Sequence, residues 1–131
     1  MELTKIQIKM MQGLICPYCN QPTEYVSSTE VYPNDYGMLY LCRPCLAYVG
    51  VHKGTDKAKG RVANHALRQL KIQVHCHFDR LWKERRMKRT EAYRWLSGAL
   101  ELPREYTHIG MFGEATCHKV IELTKSKYQS L

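Results

Sequence analysis

Two pairs of cysteines, Cys16-Pro17-Tyr18-Cys19 and Cys42-Arg43-Pro44-Cys45, stand twenty-two residues apart and are the residues best spaced for chemistry in this sequence. Two thiolates separated by two residues converge on one ion from a tight turn, and two such turns complete a tetrahedral shell. Four protein ligands leave no position for water or substrate. The expected cofactor is therefore one structural zinc ion, held by Cys16, Cys19, Cys42 and Cys45. The competing reading, redox-active dithiols or buried free thiols, is weakened by the second pair. Asn20, directly after the first pair, suits the left-handed backbone such turns need. Leu46, after the second, lacks that permissiveness, so the second turn is expected to differ.

The remaining chemistry is cationic. Twenty basic residues face twelve acidic ones, a formal charge of +8. Four thiolates and one divalent cation bring this to about +6. Such a balance favours polyanionic partners. One cluster, Lys53, Lys57, Lys59 and Arg61, surrounds two glycines ahead of a predicted helix, whose first amides could join the cations around a phosphate. The second is Lys83, Arg85, Arg86, Lys88 and Arg89. The first is more readily read as a solvated loop whose glycines satisfy turn geometry, and the second is equally readable as a charged helix end whose cations complement the dipole. Neither GxxxxGKS nor GxGxxG occurs, so a nucleotide-binding loop is poorly supported.

Histidines supply two further constellations. His75, Cys76 and His77 with Cys117 and His118 offer zinc donors, but neighbouring residues of a helix point in different directions and cannot all address one ion. Ordinary buried and hydrogen-bonded side chains are the preferred reading. His52, Asp56, Asn64, His75 and Asp79 could activate water and hold a divalent ion in a nuclease, although no complete HNH pattern surrounds the cysteine pairs.

The elements that must carry these residues are legible from patterning. Thr23 to Val31 is rich in β-formers, Pro33 to Gly37 supplies turn chemistry, and Met38 to Leu41 leads into the second cysteine pair, predicting a β-hairpin. Leu46 to Val51 predicts a third strand. Apolar residues at Ala63, Leu67, Leu70, Val74, Phe78 and Leu81 predict a long helix over Arg61 to Arg86, packed on the ribbon. A second helix is expected from a Thr90 cap to near Pro103, and a third from about Glu114. Trp82 and Trp95 fall in amphipathic segments and are read as core. The fold class is α+β: a small three-stranded zinc ribbon in residues 1–52, then a helical region of about three helices in residues 53–131, together one compact unit. No run approaches the roughly 18 residues a membrane helix needs, and the first fifteen residues are unlike a secretory signal, so a cytoplasmic address without membrane contact is expected.

The motifs CPYC, YLCRPCLAYVGVHKGTD, GRVAN, HFDRLW, EAYRWL and HIGMF together make residues 15–123 similar to a bacterial and phage zinc-finger-containing protein family of unknown function. The resemblance implies a zinc-finger role for the four cysteines and family positions at His52 to Asp56 and His108 to Phe112, with no activity attached. Lys83 to Arg89 is more charged than the family pattern requires. The leading functional expectation is a zinc-stabilised module that binds nucleic acid, DNA or RNA, through the two basic clusters. The alternatives are a protein-interaction adaptor of a mobile element or phage, presenting Met111 and Phe112 to a protein partner, and a metal-dependent nuclease. A non-enzymatic role is the preferred expectation.

Overall fold

The computed structural model describes residues 3–131, so the first two residues of the expected N-terminal segment lie outside it. The chain divides into two compact units, one running to Ala66 and one from Leu67 onward. The first begins with a helix absent from the sequence expectation, α1 (Lys5–Met11). Its cause is local: the Thr4 hydroxyl accepts from the Gln7 amide at 3.1 Å, and the Gln7 side chain accepts from the Thr4 amide at 2.8 Å. This reciprocal capping satisfies two amides that a helix start leaves without partners.

Three antiparallel strands follow in the order β1 (Glu24–Ser27), β2 (Met38–Cys42) and β3 (Ala47–Gly50). Tyr25 lies opposite Tyr40, and Tyr40 opposite Val49, so one face carries an aromatic and β-branched row of the kind that stabilises cross-strand pairing. Leu39 and Leu41 point to the other face and are buried. β1 is shorter than the β-forming run predicted, for a physical reason. The Ser27 hydroxyl accepts from the Thr29 amide and starts a 3-10 turn over Ser28–Glu30, which takes the backbone out of the ladder.

The long helix expected over Arg61 to Arg86 is both shorter and interrupted. Ala63 exchanges two backbone hydrogen bonds with Tyr48, of 3.1 and 3.0 Å, so it is bridged to β3 and α2 begins only at His65 (His65–Phe78). After Asp79 a single turn, α3 (Arg80–Lys83), precedes a left-handed Arg85 at φ 58°. The next helix, α4 (Arg89–Leu100), already contains Thr90, which therefore does not cap it; Lys88 holds the cap position without a side-chain bond. α4 ends at Glu101, φ 55°, where the amides of Glu101 and Leu102 return to the carbonyls of Gly98 and Ser97, the Schellman arrangement with Pro103 just beyond. α5 (Glu114–Ser130) starts where the sequence places it.

In the second unit the buried face of α2 carries Leu67, Val74 and Phe78, and the Phe78 ring meets Tyr93 of α4 edge-on at 4.9 Å. Ile109, Phe112, Cys117 and Val120 are also buried. No helix is long and apolar enough to cross a membrane among the described residues.

Candidate metal centre

Each cysteine pair sits in a turn closed by sheet-like pairing. The first is bracketed by an Ile15–Pro22 bridge, with the Cys16 amide donating to the Gln21 carbonyl at 2.9 Å and the Asn20 amide to the Cys16 carbonyl at 2.8 Å. The second is the β2–β3 connection itself, closed by the Cys42–Ala47 pair and a bond of 3.2 Å from the Leu46 amide to the Arg43 carbonyl. Asn20 adopts φ 63°, as its side chain favours. Leu46 adopts φ 51°, contrary to the expectation that the second turn would differ. The two turns share a geometry because each must bring a second sulfur back toward the first, and the site imposes that on a residue poorly suited to it. Leu46 tolerates the position because it is 71% exposed and nothing else constrains its side chain.

The four sulfurs converge. All lie within 4.8 Å of one another, and Cys19 Sγ is 3.6 Å from Cys42 Sγ. A disulfide would need about 2.05 Å. A tetrahedron with metal–sulfur bonds of about 2.3 Å has edges of about 3.8 Å, so the spacing fits zinc. Among the described residues no other set of three or more His, Cys, Asp or Glu donors gathers this way. The chain thus carries a site for one structural zinc ion, whose ligands are Cys16, Cys19, Cys42 and Cys45.

The centre is also the ribbon's core. Cys16, Cys42, Ala47 and Val62 form its buried cluster, with Cys19, Tyr40, Cys45 and Val49 packed against them. Val62 reaches it because the segment after the basic loop returns along β3. The protonation of the sulfurs follows their surroundings. The Gln21 amide donates to Cys19 and lowers its thiol. Burial pushes Cys42 up, and burial with the neighbouring thiols pushes Cys45 up to about 12. Four sulfurs packed this closely resist ionising together, and a divalent cation removes that obstacle.

Arg43, between the second pair of ligands, clamps this turn to the rest of the ribbon. Its guanidinium donates to Glu24 at 2.8 Å and to Glu30 at 2.7 Å. Those partners are nineteen and thirteen residues distant, so nothing local in the sequence signals the clamp.

The basic residues fall into two places. Val51 bridges to Ala58, the His52 amide donates to the Lys57 carbonyl, and the Lys59 amide to the Gly50 carbonyl, so residues 52–57 form the tip of a hairpin extending β3. Lys53, Lys57 and Lys59 are exposed on it, and Arg61 is half-buried. This corrects the sequence expectation of a phosphate held at a helix start: the helix begins at His65, beyond the Ala63 bridge to Tyr48, and its first amides are not part of the loop. Lys53 and Lys59 instead line a groove of about 670 Å³ with Tyr25, Tyr36 and Met38. In the second cluster Arg86 lies over the Tyr128 ring at 4.9 Å, Arg89 over Trp82 and Tyr93 at 5.4 and 5.0 Å, and Lys83 over Trp82 at 5.6 Å. Arg85 and Lys88 project into solvent.

The other candidates disperse. His75, on α2, meets Asp79, in the turn just past its end, at 3.1 Å, while His52 and Asp56 sit on the hairpin tip and the Asn64 amide donates to the Tyr18 hydroxyl. Cys76 is exposed and Cys117 fully buried. Phe112 is 1% exposed, which removes it from any docking surface and makes HIGMF a packed turn.

A family model described as a zinc-finger-containing domain matches residues 12–127. No curated protein and no solved structure matches the chain.

Proposed function

This chain belongs to the family of the zinc-finger-containing domain, and from that premise we propose that it is a zinc-stabilised nucleic-acid-binding module that grips phosphates. The observation that carries the reading is the distribution of cations. Lys53, Lys57, Lys59, Arg85 and Lys88 are exposed, and none joins a salt bridge among the described residues. The unit from Leu67 onward holds thirteen Lys and Arg against seven Asp and Glu, a difference of six. The unit before it holds seven against five, and the −2 of a zinc–tetrathiolate centre cancels that surplus. The long-range attraction for a polyanion therefore resides in the helical unit, with Arg85, Lys88 and Lys83 best placed to reach phosphates. Arg61, Arg86 and Arg89 complete the set; the rings beneath Arg86 and Arg89 hold their guanidinium groups without neutralising them.

A chain that works this way binds DNA or RNA in a strongly salt-dependent and largely sequence-independent manner. Titration of the zinc-loaded protein with a labelled nucleic acid across a salt series tests it. A log–log slope of about −0.9 per phosphate contact is expected on duplex DNA, falling by about one when Arg85 or Lys88 is changed to Ala. Absence of binding at low salt, or affinity indifferent to salt, overturns the proposal.

A further inference from the structure

The groove beside the hairpin tip combines features that a purely electrostatic site does not need. Tyr36 is 70% exposed, Tyr25 45% and Met38 36%, and all three line the groove. Large rings left this open on a small ribbon are held in place by other rings. Tyr32 meets Tyr36 edge-on at 5.6 Å, and Tyr40 meets Tyr25 at 5.0 Å. The Tyr40 hydroxyl then donates to the Asp56 carbonyl at 2.6 Å, tying the aromatic row on the sheet to the loop that carries the lysines. Rings and cations thus line one groove.

Resting on the nucleic-acid reading, we infer that this groove takes a single-stranded nucleic acid, with unpaired bases stacked on Tyr25 and Tyr36 and flanking phosphates held by Lys53 and Lys59. Charge alone does not suffice there. Asp56 lines the groove with the two lysines, and the zinc-loaded ribbon has no net surplus of cations, so affinity at this site must come from the ring faces. Every base has a face that stacks on tyrosine, which makes the site tolerant of sequence, whereas the bases of a duplex are already stacked on one another and cannot enter. The groove, about 670 Å³ and open to solvent, has room for a short stretch of strand laid along it.

The test uses the zinc-loaded full chain and four probes: a short oligothymidine strand, an abasic strand with the same number of phosphates, a duplex of the same length, and a polyglutamate chain. The strand is expected to bind at least about tenfold more tightly than the abasic backbone, the gain that base–ring stacking supplies. The double variant Tyr25→Thr, Tyr36→Ala is expected to erase that difference while duplex affinity, salt slope and zinc content stay unchanged. Both positions are exposed and Thr keeps the strand preference, and the unchanged zinc content and duplex affinity report that the fold is retained. Equal binding of strand and abasic backbone, or a double variant that loses nothing, overturns the groove inference and leaves the phosphate reading standing. Tyrosine-dependent binding of polyglutamate as tight as that of the strand overturns it in favour of an acidic peptide. Failure of every nucleic acid to bind at low salt overturns both.

Discussion

Leu46 holds the left-handed backbone of the second metal turn without the freedom of glycine, and an L side chain there costs about 1–2 kcal/mol. Its side chain is largely in solvent, so little packing offsets that cost. Leu46→Gly is expected to stabilise the zinc-loaded ribbon by about 0.5–1 kcal/mol, after the larger entropy of an unfolded glycine is subtracted. Chemical denaturation in saturating zinc measures it, and a less stable variant would show that the leucine side chain contributes packing after all. The sulfurs obey a different rule. Replacing any one of Cys16, Cys19, Cys42 or Cys45 with Ser is expected to abolish stoichiometric zinc, whereas Cys76→Ser leaves one zinc per chain, as elemental analysis of the purified variants can establish. Asn20 and the ligand spacing were readable in the sequence because a turn is a local object. The conformation of Leu46 was not, because leucine gives no local sign of a left-handed backbone and only the closing of its turn on the metal site demands φ above zero.

Among the elements, the return of residues 58–63 beside β3, bridged at Ala58 and Ala63, decides how the ribbon closes. A Cβ on Gly13 would stand 2.9 Å from both the Ala58 Cβ and the Gly60 carbonyl oxygen, at φ +77°. Gly13→Ala is therefore expected to cost about 2 kcal/mol or more and to weaken protection of the Lys59 and Ala63 amides in hydrogen exchange. Gly98, in α4, has open space where a Cβ would go, so Gly98→Ala should stabilise by about 0.5–1 kcal/mol, and equal melting of variant and parent would refute that. At the other end of the helical unit, Arg80 and the Tyr128 hydroxyl both donate to Glu84 and hold its carboxyl below the usual glutamate range. A lowered folded pKa means that the contribution is present above the ordinary value near 4.3 and is lost as pH falls through the folded one. The stability of Glu84→Gln should accordingly differ from that of the parent at neutral pH and converge with it under acid conditions; a difference independent of pH would rule the linkage out. β2, β3 and α5 followed their local patterns, whereas β1 was cut short by the turn at Ser27. α1 was also signalled, by Thr4 and Gln7 in capping-box spacing, but its shortness hid it. The start of α2 was not signalled, since Ala63 fits a helical stripe as well as a bridge to Tyr48 and only the partner strand chooses between them.

For the molecule as a whole, a sheet of three short strands buries little apolar area, and its core is built around the metal ligands. Structural zinc contributes on the order of 10 kcal/mol or more to such modules. Chelation is expected to release one zinc and collapse amide protection across β1, β2, β3 and the 58–63 segment; a ribbon that kept its protection without metal would show that the apolar cluster suffices alone. The charge is unevenly shared, with the surplus on the helical unit and the exposed rings on the ribbon, so salt dependence and base dependence should be separable by variants in different units.

The four cysteines, the first of their turns and the order of a sheet followed by helices were determined by the sequence itself, because ligand spacing, strand patterning and helical periodicity act over a few residues. The positions of the basic residues were equally plain, but their relation to other side chains was not. Whether Arg89 stands free or over Trp82, whether Phe112 faces a partner or the core, and whether Tyr25 and Tyr36 share a groove with Lys53 and Lys59 depend on contacts between residues far apart in the chain. Those contacts exist only once the backbone has returned along β3 and the helices have packed, and so the tertiary structure alone decided them.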